Sequence, residues 1–286
     1  MKSSYSNTHA SALIVEGGAM RSVFSAGLLD GFIEGQFNPF DFYIGVSAGA
    51  YNLITYSAGL FGVSLHVFRD LATSSHFINY TRFIRGGHLL DLDWLVQTSL
   101  RESKSDPRSI YHHAKPLYIC VTDVGTGQAV YVKTTPDNIE NVIKASTALP
   151  LIYRDFPLIN ARPMTDGGIS DGIPVAEAIR MGAKRIMVIR SRHRDYVKTD
   201  SLWHKFIRWK LKTYPALTQT MRERVERFES VLQQIRNPPH GVQILEICPP
   251  PNFTIGRFNR NRKDLQQGYE TGFNLANGVI RQWLAL

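Results

Sequence analysis

The 286-residue chain contains little cysteine, no long apolar run and no repeated or low-complexity segment. Its two cysteines, Cys120 and Cys248, are too few for a disulfide framework and exclude a zinc site of the CxxC type. No apolar stretch approaches the roughly 20 residues that a membrane-spanning helix needs, so any membrane contact should be peripheral. The polar N-terminus also lacks the apolar h-region, about 7 to 15 residues long, of a secretory signal. We expect a cytosolic protein, and we expect no metal and no cofactor.

The composition is that of a globular protein. Hydrophobic residues make up 43% of the chain and charged residues 20%, which excludes a disordered chain. The glycines and prolines are spread along the sequence without a period, which excludes a collagen-like one. A chain of this length can bury a sizeable core, in one α/β body or in about two domains.

The net charge of +9 is concentrated in one segment. Residues 184–212 contain ten lysines and arginines and only two aspartates, so the remainder of the chain is close to neutral. The protein as a whole is therefore not a polycation. No helix-turn-helix, zinc-finger or aromatic sheet motif accompanies the charge, and we expect no nucleic-acid partner.

Apolar runs typical of buried strands alternate with segments of helical character along most of the chain. Such alternation predicts a three-layer α/β/α fold with a mostly parallel central sheet. The predicted strands are 12–16, 40–46, 116–124, 128–134, 185–191 and 242–248, and the predicted helices are 22–35, 48–59, 137–148, 173–182, 200–236 with a break at Pro215, and 262–284.

The character of the chain changes near residue 195. Residues 10–195 carry the strand and helix alternation, whereas residues 196–286 are mainly helical, strongly charged and contain the single strand 242–248. We expect a main α/β domain at 10–195 and a mainly helical C-terminal extension at 196–286. The extension should pack on the main domain, because its strand should join the main sheet.

Residues 45–49 form a GxSxG sequence that directly follows a predicted strand and opens a predicted helix. A sharp turn of this kind holds Ser47 in a strained backbone conformation, and only small neighbours such as Gly45 and Gly49 leave room for it. The helix N-terminus also favours negative charge that develops beside the serine. The context favours a nucleophilic serine over a small-residue turn that merely packs tightly.

A glycine-rich loop follows the first predicted strand. Gly17, Gly18 and Ala19 should lie at the carboxyl ends of the parallel strands, at the edge where Ser47 is also expected. Backbone N–H groups there could form an oxyanion hole, in which one donor is commonly worth about 10² to 10³ in rate. A dinucleotide loop is disfavoured because Ala19 and Ser22 break the GxGxxG spacing, and an ordinary turn is the other alternative.

A serine hydroxyl needs a base to take its proton. His193, His204 and His240 are candidates for a histidine triad, but they lie in polar or loop contexts. Ser47 also follows only the second predicted strand, which is earlier in the chain than the nucleophile of α/β-hydrolases.

Asp166 is the better candidate for the base. Gly167 and Gly168 follow it and let the backbone turn tightly around one carboxylate. Asp-Gly pairs are also common in ordinary turns, so the motif is weak when it is taken alone.

Taken together, these motifs resemble the patatin-like phospholipase family. The resemblance covers residues 10–195, which would then be the catalytic domain. It rests on EGGAMRS at 16–22, GVSAG at 45–49 and DGG at 166–168, with intermediate landmarks at Thr122, Asp123, Val124 and Gly127 and at Ala145, Ser146, Ala148, Leu149 and Pro150.

The resemblance implies a lipid acyl hydrolase of phospholipase A, lysophospholipase or carboxylesterase type with a lipid or ester substrate. Ser47 would attack the ester carbonyl to form an acyl-serine, and Asp166 would act as its base without a histidine. Residues 17–19 would supply oxyanion N–H groups, and Arg21 would order their loop. A lone carboxylate base needs a partly dry pocket that raises its pKa.

The chain departs from the family in its glycine-rich loop, which usually reads GGGxRG. Ala19 and Ser22 replace two glycines here, and an alanine can still donate its N–H if its φ is negative. The alternatives to hydrolysis are an acyltransferase that uses the same dyad and a catalytically weak lipid-binding module.

The basic segment allows two interpretations. A helix at about 201–212 with aromatic anchors could lie in the interface of an anionic membrane. The more common arrangement is a helix that packs its aromatics on the main domain and leaves its lysines in solvent. The candidate membrane-surface residues are Trp203, Lys205, Arg208, Lys210 and Lys212.

Overall fold

The computed structural model describes residues 10–102 and 115–286, except for the side chains of Leu100 and Trp203. The membrane-surface prediction for Trp203 therefore falls outside the described residues. None of the helices in these ranges is both long and apolar enough to cross a membrane.

One mixed sheet of eight strands forms the centre of the fold. The strands are β1 (Ala10–Val15), β2 (Phe42–Val46), β3 (Leu117–Asp123), β4 (Ala129–Lys133), β5 (Leu158–Ile159), β6 (Arg162–Asp166), β7 (Ala183–Ile189) and β8 (Gln243–Ile247). Their order is β5-β6-β3-β2-β1-β7-β8, and β4 also pairs with β3. Neighbours from β3 to β8 along this order are parallel, whereas β4 and β6 are antiparallel to β3 and β5 is antiparallel to β6.

Helices cover both faces of the sheet. They are α1 (Val23–Glu34), α2 (Ala48–Ser57), α3 (Val63–His66), α4 (Tyr80–Ile84), α5 (Leu92–Glu102), α6 (Ile139–Thr147), α7 (Val175–Arg180), α8 (Leu202–Lys210), α9 (Pro215–Arg222), α10 (Arg224–Arg236) and α11 (Arg262–Leu284). Short 3-10 turns at Ala19–Ser22 and Gly167–Ile169 and a π turn at Val67–Leu71 complete the backbone.

Side chains of β1 alternate between two apolar cores, as the pleat of a strand requires. Leu13 and Val15 pack with residues of α1, α2, α6 and α11 on one face. Ala12 and Ile14 pack with residues of α7 and α10 on the other face. The predicted α/β/α class with a mostly parallel sheet is therefore confirmed.

The C-terminal residues contribute to both the sheet and the core. β8 extends the sheet by parallel pairing with β7. Helix α11 lies so close to α1 that a Cβ at Gly27 would overlap the carbonyl oxygen of Tyr269, and one at Gly272 would overlap that of Phe24. The division of the chain near residue 195 stays a prediction.

The predicted strands and helices occur within a few residues of their expected bounds, with three differences. Strands β5 and β6 and the helices between residues 63 and 102 had no predicted counterpart. The predicted helical segment 200–236 breaks a second time at Glu223, so three helices replace two. Pro215 occupies the first turn of α9, where a missing N–H is tolerated.

Candidate active site

Ser47 lies in a sharp turn between β2 and α2. Its φ of 52° and ψ of −130° are strained for a residue with a side chain. A Cβ at Gly49 would lie 2.6 Å from the carbonyl oxygen of Glu16, and one at Gly45 would overlap the backbone of Ala50. Only glycine fits at both neighbouring positions, so the GxSxG sequence is what allows this turn to form.

Asp166 lies beside Ser47, although 119 residues separate them in sequence. Oγ of Ser47 donates a hydrogen bond of 2.9 Å to Oδ2 of Asp166. The other carboxylate oxygen accepts the N–H of Gly168 at 2.7 Å. A Cβ at Gly167 would overlap the carbonyl oxygen of Cys120, so this glycine lets the turn pass directly beneath β3.

Burial makes the Asp166 carboxylate more basic than an ordinary one. Both side chains of the pair are nearly inaccessible, with Ser47 9% and Asp166 4% exposed. Burial raises the pKa of Asp166 above its ordinary value of 3.8, although the hydrogen bonds from Gly168 and Ser47 and the charges of Arg257 and Lys198 oppose the rise. A carboxylate of this kind is suited to accept the proton of a hydroxyl group.

Ser146 fixes the backbone of the serine turn. Its Oγ accepts the N–H of Ser47 at 2.8 Å and donates to the carbonyl oxygen of Cys120 at 2.7 Å. This side chain is fully buried at the end of α6. In the sequence analysis, Ser146 stood out only as a landmark of the family resemblance. No local sequence pattern indicated its hydrogen bond to the N–H of Ser47.

The glycine-rich loop contacts Ser47 from the end of β1. A Cβ at Gly17 would lie 2.9 Å from Cβ of Ser47. Within the described ranges, the backbone N–H groups of Gly17, Gly18 and Ala19 donate to no protein acceptor. The condition of a negative φ at Ala19 is not met, since its φ is 50° at the first residue of the 3-10 turn. An N–H can donate at either sign of φ.

Arg21 lies beneath this loop and is 5% exposed. Its backbone N–H bonds to the carbonyl oxygen of Gly18 at 3.3 Å. In the described part of the chain, Nε and Nη1 of its guanidinium are buried without a hydrogen-bond partner. Burial and the charges of Arg192 and Arg257 lower the pKa of Arg21 to about 10. The ordering role of Arg21 stays a prediction.

The candidate histidines do not contact Ser47. His204 lines the cavity next to Ser47, but its Nδ1 lies 2.7 Å from Oγ of Ser201. Burial and the nearby arginines lower the pKa of His204 to about 4. The ring of His193 packs edge-on against that of Tyr196, and His240 is exposed in a turn. This geometry gives no support to a histidine triad.

Two pockets of different chemistry meet at Ser47. A cavity of about 320 Å³ contains Ser47, Asp166 and the glycine-rich loop together with several basic side chains. A narrower pocket of about 100 Å³ shares Ala19, Ser47 and Arg257 with it. The narrower pocket is almost entirely apolar, and its lining includes Met20, Phe68, Ile78, Leu92, Val96 and Ile143.

Basic side chains around the larger cavity come from segments that are distant in sequence. They are Arg21, Arg192, Lys198, Arg224, Arg227 and Arg257. The charge count of residues 184–212 contained two of them, but it gave no indication that they line a cavity. Only the fold brings them together.

Helix α8 packs through its aliphatic side chains. Ile207 and the following Leu211 are buried with Met221 and neighbouring apolar residues. Trp209 is 59% exposed, and Nζ of Lys210 lies 4.8 Å from the centroid of its ring. The expectation that α8 packs its aromatic residues inward is therefore wrong for Trp209, because the inward face is occupied by Ile207 and Leu211.

Comparisons with known proteins identify the family to which the chain belongs. The family model for patatin-like phospholipase matches residues 13–179, and a domain of unknown function, DUF6363, matches residues 214–286. The chain is 36% identical over 265 residues to YjjU, an uncharacterized protein of Escherichia coli (strain K12), covering 91% of this chain and 74% of YjjU. A crystal structure of VipD from Legionella pneumophila aligns with a TM-score of 0.47 and 13% identity, covering 96% of this chain and 67% of VipD. The chain belongs to the patatin-like phospholipase family, a family of lipid acyl hydrolases.

Proposed function

We propose that the protein hydrolyses carboxylic esters of lipids through an acyl-Ser47 intermediate, with Asp166 as the only side-chain base. The observation that carries this proposal is the 2.9 Å hydrogen bond from Ser47 Oγ to the buried carboxylate of Asp166. A nucleophile within hydrogen-bond reach of a base is the arrangement that covalent catalysis requires.

In the first half-reaction, Oγ of Ser47 attacks the carbonyl carbon of the ester and passes its proton to Oδ2 of Asp166. The carbonyl oxygen gains a negative charge, which the N–H groups of Gly17, Gly18 and Ala19 would stabilise. The C–O bond to the alcohol then breaks, and Asp166 returns the proton to the leaving alcohol. The acyl group remains on Ser47.

In the second half-reaction, Asp166 takes a proton from a water molecule that attacks the acyl-serine carbonyl. The new tetrahedral species collapses with cleavage of the bond to Oγ of Ser47, which recovers its proton from Asp166. The fatty acid leaves, and the enzyme returns to its starting state. Asp166 thus acts as a base and then as an acid in each half-reaction.

The apolar pocket supports an acyl chain as the substrate group. It begins at Ser47 and continues between residues of the π turn, α5 and α6. Each methylene of an acyl chain that enters this pocket would be removed from water, which favours binding by about 0.8 kcal/mol. The ester carbonyl at the mouth of the pocket would then lie next to Ser47.

The exposed face of α8 supports delivery of the substrate from a membrane surface. Leu202 and Trp209 are 81% and 59% exposed, while His204 and Ile207 of the same helix line the cavity. Lysines at 205, 210 and 212 are exposed around them. Basic residues with exposed apolar side chains are the features of helices that lie on anionic membranes. Arg208 contributes less, because its guanidinium is bound to Asp200 at 2.8 and 2.9 Å.

Ester hydrolysis with and without the nucleophile tests the proposed function. Ser47→Ala should lower the hydrolysis of p-nitrophenyl octanoate by at least about 10³-fold. A fluorophosphonate probe should label the wild type once, at Ser47, and should not label the variant. Ser57→Ala is the matched control, because it removes a hydroxyl from the other end of α2 and should keep full activity. Hydrolysis that survives in Ser47→Ala would overturn the proposal.

A further inference from the structure

Basic side chains surround the cavity beside Ser47 from several directions. Arg21 follows β1, Arg192 and Lys198 lie between β7 and α8, Arg224 begins α10, and Arg257 lies between β8 and α11. All except Arg21 lie outside residues 13–179, which the patatin-like family model matches. The C-terminal part of the chain therefore supplies most of the positive charge at the site.

Within the described residues, the carboxylates that line the same cavity form no ion pair with these cations and bind other groups instead. Glu16 binds Nε of Arg190 at 3.1 Å and the N–H of Ser191 at 2.7 Å. Asp166 accepts the hydroxyl of Ser47 at 2.9 Å. The carboxylate of Asp171 accepts the hydroxyl of Tyr131 at 2.6 Å.

Across residues 10–102 and 115–286, these arginines and the lysine form no ion pair with a carboxylate. Arg227, also in the cavity, differs from them because its guanidinium binds Glu223 at 3.1 Å. Two of the other cations contact aromatic rings instead of carboxylates. The guanidinium of Arg192 lies 4.5 Å from the ring centroid of Tyr196, and Nζ of Lys198 lies 4.8 Å from that of Phe228.

Several donors of the cluster are buried without an acceptor. Nε and Nη1 of Arg21 and Nη1 of Arg224 have no hydrogen-bond partner within the described residues. Arg21 is 5% exposed, so water cannot solvate its guanidinium as it would at the surface. A buried cation without an acceptor is costly, and an anion in the cavity would offset that cost.

Burial, together with repulsion between the cations, lowers the pKa values of two of them. Burial, followed by the charge of Arg224, lowers the pKa of Lys198 to about 7, and Glu16 only partly opposes this. Burial and Arg257 also lower the pKa of Arg224. A negatively charged ligand would reverse these shifts, since it favours the protonated form of each group.

The position of the cations relative to the apolar pocket identifies the part of the substrate that they would contact. Ser47 and Arg257 border both the apolar pocket and the basic cavity. An ester whose acyl chain fills the apolar pocket would direct its alcohol portion into the basic cavity. The ligand that matches both pockets is an acyl ester of a phosphorylated alcohol, because arginine guanidinium groups bind phosphate oxygens in pairs.

We propose that Arg21, Lys198, Arg224 and Arg257 form a site for the phosphate group of an anionic acyl ester, such as a lysophosphatidic acid. This proposal rests on the proposed hydrolysis at Ser47 and names its substrate class. It also gives the C-terminal residues 214–286 a function, since Arg224 and Arg257 belong to them. The same cations would bind inorganic phosphate, so a test must separate the two sources of phosphate.

Binding to Ser47→Ala protein tests the site without turnover. Calorimetry would compare decanoyl-lysophosphatidic acid, monodecanoyl-glycerol and inorganic phosphate, each below the concentration at which the lipids aggregate. We expect the phosphorylated lipid to bind at least about 10-fold more tightly than either of the others, because only it occupies both pockets. Equal affinity for the two lipids would overturn the phosphate site. Equal affinity for the phosphorylated lipid and inorganic phosphate would overturn the headgroup assignment.

Arg224→Gln and Arg257→Gln, each added to Ser47→Ala, should weaken binding of the phosphorylated lipid by about 10- to 100-fold. Binding of monodecanoyl-glycerol should change far less. Arg222→Gln is the matched control, because it removes an exposed charge two residues before Arg224 and should leave both affinities unaltered. Wild-type affinity in both variants would overturn the proposal. Two positions are tested because one of the variants could fail to fold.

The outcome is separable from that of the proposed function. If the phosphorylated lipid binds through Arg224 and Arg257 but Ser47-dependent hydrolysis is absent, the anion site stands and the hydrolase proposal fails. If Ser47 is needed for ester hydrolysis but the affinity for the phosphorylated lipid does not depend on either arginine, the hydrolase proposal stands and the anion site is overturned.

Discussion

The backbone N–H of Ser47 donates a hydrogen bond of 2.8 Å to Oγ of Ser146. Ser146 in turn donates to the carbonyl oxygen of Cys120 in β3, so the strained serine turn is tied to the neighbouring strand. The positive φ of Ser47 is maintained by such contacts and by the glycines around it. A side chain outside the proposed dyad thus holds the proposed nucleophile, Ser47, in position.

Ser146→Ala should therefore reduce turnover more than substrate binding. The change leaves the buried N–H of Ser47 without an acceptor, which costs about 1 to 3 kcal/mol. We expect kcat for p-nitrophenyl octanoate to fall by about 10-fold or more, with KM nearly constant. Steady-state kinetics measure both constants, with Ser57→Ala as the control on α2. A rise in KM with an unaltered kcat would contradict this positioning role.

The pH dependence of hydrolysis should report the raised pKa of Asp166. Burial favours the protonated carboxyl, so activity should begin to fall at a higher pH than an ordinary aspartate, with its pKa of 3.8, would give. The base must be deprotonated to act, so the loss occurs as pH decreases through the raised pKa. Measuring kcat/KM between pH 4 and 9 on a soluble ester would show this acid limb.

Asp166→Asn should abolish most activity without unfolding the protein. The amide oxygen can still accept the N–H of Gly168, but it cannot take a proton from Ser47. We expect a loss of about 10² to 10⁴ in kcat. The melting temperature should not fall, because the substitution removes a carboxylate whose ionisation burial opposes. Full activity in this variant would reopen the search for another base.

The serine turn could be predicted because its determinants are local. Gly45 and Gly49 are required by close backbone contacts within the turn and with the end of β1, and both are visible as a short motif. The central strands could be predicted for a similar reason, since runs buried on both faces are continuously apolar. These features depend on residues a few positions apart.

Strand β6 could not be predicted, although it carries Asp166. Its sequence, Arg-Pro-Met-Thr-Asp, contains a proline and two charged ends and has little of the pattern of a strand. It forms because it pairs with β3, where Asp166 lies opposite Val121. The contact between Asp166 and Ser47 therefore depends on tertiary pairing. In the sequence, the weak Asp-Gly-Gly motif and then the family resemblance had suggested Asp166 as the base for Ser47.

The basic segment 184–212 serves more than one purpose in the structure. Arg190 is fully buried between Glu16 and Glu246, at 3.1 and 2.6 Å. Arg192 and Lys198 face the cavity, whereas the lysines of α8 are exposed. Composition reveals the excess of positive charge. Which residues form ion pairs with carboxylates, which line the cavity and which are exposed to solvent depends on the three-dimensional fold.

Removing Lys205 and Lys210 of α8 together with Lys212, which follows the helix, should weaken binding to anionic membranes. Each basic residue near such a surface contributes about 1 kcal/mol, so the triple variant Lys205→Gln, Lys210→Gln, Lys212→Gln should bind phosphatidylglycerol vesicles about 100-fold more weakly. Vesicle co-sedimentation in low and physiological salt measures this effect. The difference between variant and wild type should shrink as salt screens the charges.

The control for α8 removes equal charge elsewhere. The control variant carries Lys133→Gln, Lys184→Gln and Lys263→Gln, three positions that lie in β4, β7 and α11 rather than in α8. This variant should keep most of the vesicle binding. Equal weakening by both triple variants would mean that net charge alone attracts the protein, and no weakening by either would dismiss the interfacial role of α8.

The contact between α1 and α11 should be intolerant of any side chain at Gly27. A methyl group there would overlap the carbonyl oxygen of Tyr269, a backbone atom that moves only if α11 moves. Gly27→Ala should therefore lower the free energy of unfolding by more than about 2 kcal/mol, despite the better helix propensity of alanine. Gly278→Ala is the matched control on α11, because no atom lies within 4 Å of the added Cβ, and it should raise stability by up to about 1 kcal/mol. Urea denaturation of both variants measures the difference, and equal midpoints would show that α11 does not depend on close backbone contact with α1 for its position.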